Sequence, residues 1–207
     1  MDLGNISSKE AVTALRSTLN QGADIAINSL GKTDGFLGNP TVRIKLPEYL
    51  EKSKNILKMM GMGSQLDELE VSMNRAAEAA VPQTKSLLKK TIQNMTVEDA
   101  KKVLSGGDTA VTDFFRNKTQ ADLYKQLLPI IKNKTEQVGL AQQYNTLAAK
   151  GSRLGLMKAE DANLEGFVTS KTLDALFLMV AEEEKAIRAN PLAASNAILK
   201  KVFGGLK

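Results

Sequence analysis

Apolar residues recur every three or four positions along nearly all of the 207 residues of this chain, a spacing that gathers them on one face of an α-helix. The pattern opens behind a capping box, Ser7-x-x-Glu10, in which each residue can satisfy a backbone N–H left free by the helix start. Val12, Leu15, Leu19, Ala23, Ala26 and Leu30 then form one stripe that ends near Gly31. Residues 31–47 break the rhythm: they are rich in Gly, contain the Asn39-Pro40 turn signal, and alternate Val42, Ile44 and Leu46 with Arg43 and Lys45. That alternation predicts an extended segment near residues 41–46. A lone strand cannot satisfy its own ladder, so the segment is expected to lie across helices, to pair with a second copy, or to use side chains and water.

Helical spacing resumes at Pro47 and runs to the Gly61-Met62-Gly63 break, after which Ser64-x-x-Asp67 reads as a cap. The following helix carries Leu66, Leu69, Met73, Ala76, Ala77 and Ala80 on one face, and its small residues admit a close neighbour. Pro82 kinks or restarts it. Thr96-x-x-Asp99 reads as the cap of a short helix, and Gly106-Gly107-Asp108 separates that from a long one with Tyr124, Leu127, Leu128 and Ile131 inward and Pro129 in its path. A shorter helix bears Leu140, Tyr144 and Leu147. The strongest apolar run, Leu173 and Ala175 through Ala181, lies in a last major helix from about Leu164 to Asn190, which Pro191 ends. The expectation is an all-α, irregular multi-helix bundle, residues 1–207 forming a single domain and residues 192–207 a peripheral C-terminal helix.

Composition narrows the chemistry. The chain has no Cys and no His, which removes zinc and iron–sulfur sites, thiol nucleophiles and imidazole acid–base pairs. No metal or other cofactor is expected, and no catalytic residue is assigned. The net charge of +5 is small, its cations are dispersed and aromatics are 4% of residues, so specific nucleic-acid binding is not expected. No apolar run reaches the length of a membrane span.

Several segments together resemble a known family. Gly35-Phe36-Leu37-Gly38-Asn39-Pro40-Thr41-Val42-Arg43-Ile44-Lys45-Leu46-Pro47 and Met73-Asn74-Arg75-Ala76-Ala77-Glu78-Ala79-Ala80-Val81-Pro82 are similar to the bacterial domain-of-unknown-function family numbered 4197. Met95 through Ala100, Gly106-Gly107-Asp108, Val138-Gly139-Leu140 with Tyr144-Asn145, and Leu176 through Pro191 agree with it. The resemblance brings no reaction, substrate or catalytic residue. It implies an exported, periplasmic protein whose signal is removed ahead of Met1, a cytoplasmic location being the alternative.

The candidate binding residues are Arg43, Lys45, Tyr144, Asn145 and Glu184. In an extended segment Arg43 and Lys45 share the face opposite Val42, Ile44 and Leu46, where they could meet an anionic group or simply sit in water. Tyr144 and Asn145 could add hydrogen bonds, and Tyr144 is equally a core residue. Glu184 falls in the middle of the stripe formed by Leu173, Phe177, Val180 and Ile187, so its carboxylate needs a cation or several donors. Arg43 is the first expected partner and Arg75 the second. Asp161-x-Asn163-x-Glu165-Gly166 matches the start of a calcium loop, but Thr172 stands where a bidentate carboxylate is required, which favours a polar turn in which Asp161 or Asn163 caps the last major helix. The C-terminal piece joins Ile198, Leu199, Val202, Phe203 and Leu206 to Lys200, Lys201 and Lys207, a composition suited to docking on its own domain or to peripheral membrane or partner contact.

The functional expectation is a non-enzymatic binding or interaction module of the bacterial cell envelope, its partner an unidentified protein or an apolar or anionic ligand. The alternatives are a hydrophobic-ligand or lipid carrier and an enzyme using carboxylate, Arg or Tyr groups.

Overall fold

The computed structural model describes residues 6–95, 100–152, 163–194 and 196–205. The Thr96-x-x-Asp99 signal and Asp161 lie outside the described residues. The chain is all-α, with no strand among the described residues. Its helices are α1 (Ser8–Leu30), α2 (Glu48–Met59), α3 (Gly63–Ala80), α4 (Lys85–Asn94), α5 (Ala100–Leu104), α6 (Ala110–Gln137), α7 (Leu140–Ser152), α8 (Leu164–Ala189) and α9 (Ala197–Gly204).

Local chemistry explains most boundaries. At the start of α1 the Glu10 N–H donates to Ser7 Oγ at 3.2 Å while the Ser7 N–H donates to Glu10 Oε2 at 2.9 Å, the reciprocal capping box. Helix α2 stops where Gly61 takes a φ of 77°, a left-handed conformation that costs a side-chain-bearing residue more. The Ser64-x-x-Asp67 cap does not form: α3 begins at Gly63 behind Met62 without any side-chain cap, and Ser64 Oγ bonds Gln65 instead. Ser64 is already inside the first turn, two positions past the cap. Pro82 converts the end of α3 into a 3₁₀ turn, Val81–Thr84, before α4. Asn163 starts α8, accepting the Gly166 N–H on Oδ1 at 2.9 Å, so the calcium-like segment is used at Asn163 as a helix cap.

The chain divides into two compact units, each assembled from separate stretches of sequence. The first comprises Met1–Ser29, Thr84–Leu123 and Leu173–Lys207. Its core is built from Leu15, Leu19, Ala26, Leu88, Ile92, Phe115, Phe177, Val180 and Ile187, all buried. Phe115 and Phe177 meet edge to face with centroids 5.8 Å apart. Helices α1 and α8 touch at Gly22, where an added Cβ would stand 2.9 Å from Val180 Cγ1 and 3.1 Å from Val180 Cα. Because backbone as well as side chain blocks that space, Gly22→Ala is expected to lower stability by about 1–3 kcal/mol, measured by urea unfolding, although Ala is the better helix former.

The second unit comprises Leu30–Gln83 and Tyr124–Thr172. Here α3 packs against α2 and α7. Leu66, Leu69, Met73, Ala76, Ala77 and Ala80 of α3 are buried as their spacing predicted. Residues 43–47 are neither helix nor strand. They nonetheless keep the alternation of an extended strap: Val42, Ile44 and Leu46 are buried while Thr41, Arg43 and Lys45 are exposed.

Candidate functional site

The strap's polar backbone groups are satisfied by side chains of α3. Glu70, Asn74 and Glu78 stand four residues apart, so they form one row along that helix beside its apolar face. All three are buried. Asn74 works as a substitute strand: its Oδ1 accepts the Ile44 N–H at 2.9 Å and its Nδ2 donates to the Ile44 carbonyl at 2.8 Å. A second bond from Nδ2 to the Glu70 carbonyl, also 2.8 Å, fixes the amide plane. At the far end Glu78 Oε1 accepts the consecutive N–H groups of Phe36 and Leu37, each at 3.0 Å. Two adjacent amides converging on one oxygen make a small anion-binding concavity, which this carboxylate fills.

Two arginines complete the arrangement. Arg75 donates Nη1 to Glu78 Oε2 at 2.6 Å and Nη2 to Asp34 Oδ1 at 2.8 Å. These bonds, that to Glu78 first, raise the Arg75 pKa above its ordinary value. Asp34 is held with a φ of 62° at the head of the turn that delivers Phe36 and Leu37. Arg43 donates Nε to Glu70 Oε1 at 2.7 Å. Its Nη1 donates to the Leu37 carbonyl at 3.5 Å, and the side chain remains 43% exposed. Lys45 is exposed and makes no ion pair among the described residues. Two positions apart on an extended chain, the cations of Arg43 and Lys45 rise from backbone points about 7 Å apart on one side of the strap.

Glu184 is fully buried on α8. Its partner is neither Arg43 nor Arg75, both engaged on α3 and the strap, but Arg188 one turn further along its own helix. Arg188 donates Nε and Nη2 to Glu184 Oε1 at 2.9 and 2.8 Å, and Nη1 to the Leu104 carbonyl at 2.9 Å. The other donors come from the start of α6: the Val111 N–H on Oε1 at 2.9 Å, and the Thr112 N–H and Oγ1 on Oε2 at 2.8 and 2.7 Å. Those N–H groups have no partner within their helix, and the helix dipole favours an anion there. The carboxylate of α8 therefore caps α6, which is a structural role.

Tyr144 is buried on α7, its hydroxyl without a hydrogen-bond partner among the described residues, and Asn145 beside it is exposed. The sequence thus placed Arg43 and Lys45 together on one face, while the residues that hold that face, Glu70, Asn74 and Glu78, escaped it. Their signal was present as a polar residue every four positions beside an apolar row.

The C-terminal piece is split, with a 3₁₀ turn at Pro191–Ala193 and α9 starting behind an Asn196 cap. Leu199, Val202 and Phe203 are buried, and the Arg188 guanidinium lies over the Phe203 ring at 4.9 Å. The apolar side of α9 is therefore occupied within its own unit. Lys201 Nζ meets Glu10 Oε1 at 2.6 Å, and this bond, with two from Ser7, lowers the Glu10 pKa to about 2 from 4.5. A depressed pKa means that the contribution of this group is present above the unfolded value and is lost as pH falls through about 2. In an NMR titration Glu10 should keep its depressed midpoint in the intact chain and move up toward 4.5 in Lys201→Ala.

Among the described residues no group of three or more His, Cys, Asp or Glu could hold a metal ion, and no helix is long and apolar enough to cross a membrane. No curated protein and no solved structure matches the chain. A family model described as "Protein of unknown function (DUF4197)" matches residues 5–204, the same strap, α3 and α8 segments on which the resemblance was read. The chain belongs to that family.

Proposed function

We propose that the chain is a non-enzymatic interaction module of the bacterial cell envelope whose contact surface is the outer face of the strap, with Arg43 and Lys45 receiving an anionic group of the partner. The observation that carries this reading is the side-chain clamp on the strap. Irregular segments of more than about 12–15 residues are uncommon in compact folds and usually functional. Residues 31–47 make such a segment, and three buried polar side chains of α3 hold it. Burying Glu70 and Glu78 carries a desolvation cost that a plain helix–helix connection would avoid. What the clamp achieves is a fixed presentation of Thr41, Arg43 and Lys45 on rigid helices, the arrangement in which loops carry recognition. The envelope location is supported by the family resemblance.

The test is photo-crosslinking in living cells from a reactive residue at Thr41, which is exposed. A discrete adduct in the envelope fraction that disappears in Lys45→Glu is the expected result. No adduct, or one indifferent to Lys45→Glu, contradicts the proposal.

A further inference from the structure

The three successive carboxylates of α8 have three different fates. Glu184 caps α6, and Glu182 accepts Lys185 Nζ at 2.8 Å on the surface. Glu183 has no cation among the described residues. Its Oε1 accepts Gln21 Nε2 at 2.7 Å, across the same contact of α1 and α8 that Gly22 makes close. Its second oxygen has no partner among the described residues, and the side chain lines a cleft of about 130 Å³. Ala186, Ile187, Ala193 and Ala194 supply apolar walls, while Gln21 and Asn190 are the other polar contributors.

From this geometry we infer that the cleft is a binding site for a primary ammonium on a short aliphatic stem. A carboxylate oriented by an amide, with one oxygen and its charge unanswered among the described residues, selects a cationic N–H donor. Apolar walls select a methylene stem rather than a hydrated ion. The volume equals about four waters, which suits a chain of a few carbons and excludes a fatty acyl tail. The occupant is the lysine side chain of a partner protein: its four-methylene stem meets the Ala and Ile lining and its ammonium meets Glu183, whereas a lipid ethanolamine would bring a phosphate toward the same carboxylate. All of the residues involved lie in the first unit, so this inference stands or falls apart from the strap.

The probe is n-butylammonium, added to the full chain and followed by ¹H–¹⁵N NMR, with n-butanol as the neutral control. Saturable shifts confined to Gln21, Ala186, Ile187, Asn190 and Ala194, absent with butanol, are expected. Glu183→Gln keeps an acceptor for Gln21 and removes the charge, so affinity should fall about tenfold or more. Ala193→Leu narrows the cleft from an exposed position and should also abolish the shifts, which separates loss of the site from loss of the fold. Acetyl-lysine methylamide should bind more tightly than glycerophosphoethanolamine, and the reverse order would overturn the assignment to a lysine side chain. Equal responses to butylammonium and butanol, an unchanged affinity in Glu183→Gln, or no shifts at all would overturn the inference.

Discussion

Arg188→Met is expected to destabilise the chain by about 3–5 kcal/mol, because it leaves the fully buried Glu184 carboxylate without its only cation among the described residues. The bonds from Val111 and Thr112 remain, so the charge stays solvated in part and the fold survives. The same substitution removes the bond to the Leu104 carbonyl and the stacking over Phe203, losses that do not depend on Glu184. A double-mutant cycle separates the two contributions. In a Glu184→Gln background no charge is stranded, and Arg188→Met should cost less by about 2 kcal/mol. Urea unfolding of the four proteins measures the difference. Additive losses would show that Arg188 acts through Leu104 and Phe203 alone.

The second large effect is expected at Asn74. Replacing it with Leu keeps the branched outline of the Asn side chain, with bulkier ends, and removes both bonds to Ile44, leaving a buried N–H and a buried carbonyl unpaired. At about 1–3 kcal/mol for each orphaned group, the loss should reach about 3 kcal/mol. Asn74→Asp is a sharper probe. It keeps the acceptor for the Ile44 N–H, loses both Nδ2 donors, and brings a second carboxylate toward Glu70 on the preceding turn. Its cost should match or exceed that of Asn74→Leu. Asn145→Asp, on an exposed position of α7, should stay within about 0.5 kcal/mol of wild type. If the Asn74 variants are equally mild, the strap is held by its apolar side chains alone.

Sequence reasoning succeeded where the physics is local. The capping box at Ser7 and Glu10 and the inward position of Glu184 depend on spacing within one helix, and both are present. The buried alternation of Val42, Ile44 and Leu46 depends on a period of two and needs no knowledge of neighbours. Partners were harder to read. The Arg188 guanidinium is legible in the sequence as an i,i+4 pair with Glu184, whereas the apolar stripe around Glu184 indicates only that its carboxylate is buried and not which arginine answers it. The N–H donors of Val111 and Thr112 could not be read at all, since they are backbone groups brought up by chain folding. Ser64 shows the limit of motif spacing: the cap pattern is there, but the helix begins two residues earlier than the motif implies, and the motif falls inside its first turn. The extended segment is the opposite case: its alternation holds, and of the ways open to a lone strand it uses a side chain, Asn74 taking the place of a neighbouring strand.

The central claim is that the strap is a rigid surface held from beneath by α3. Native-state hydrogen exchange tests it at three amides. Phe36 and Leu37 donate to Glu78, and Ile44 donates to Asn74, although none lies in a helix or strand. These amides should be protected to within about tenfold of amides in the interior of α3, since they open only when that region opens. Exchange of all three at the rate of an open loop would contradict the account.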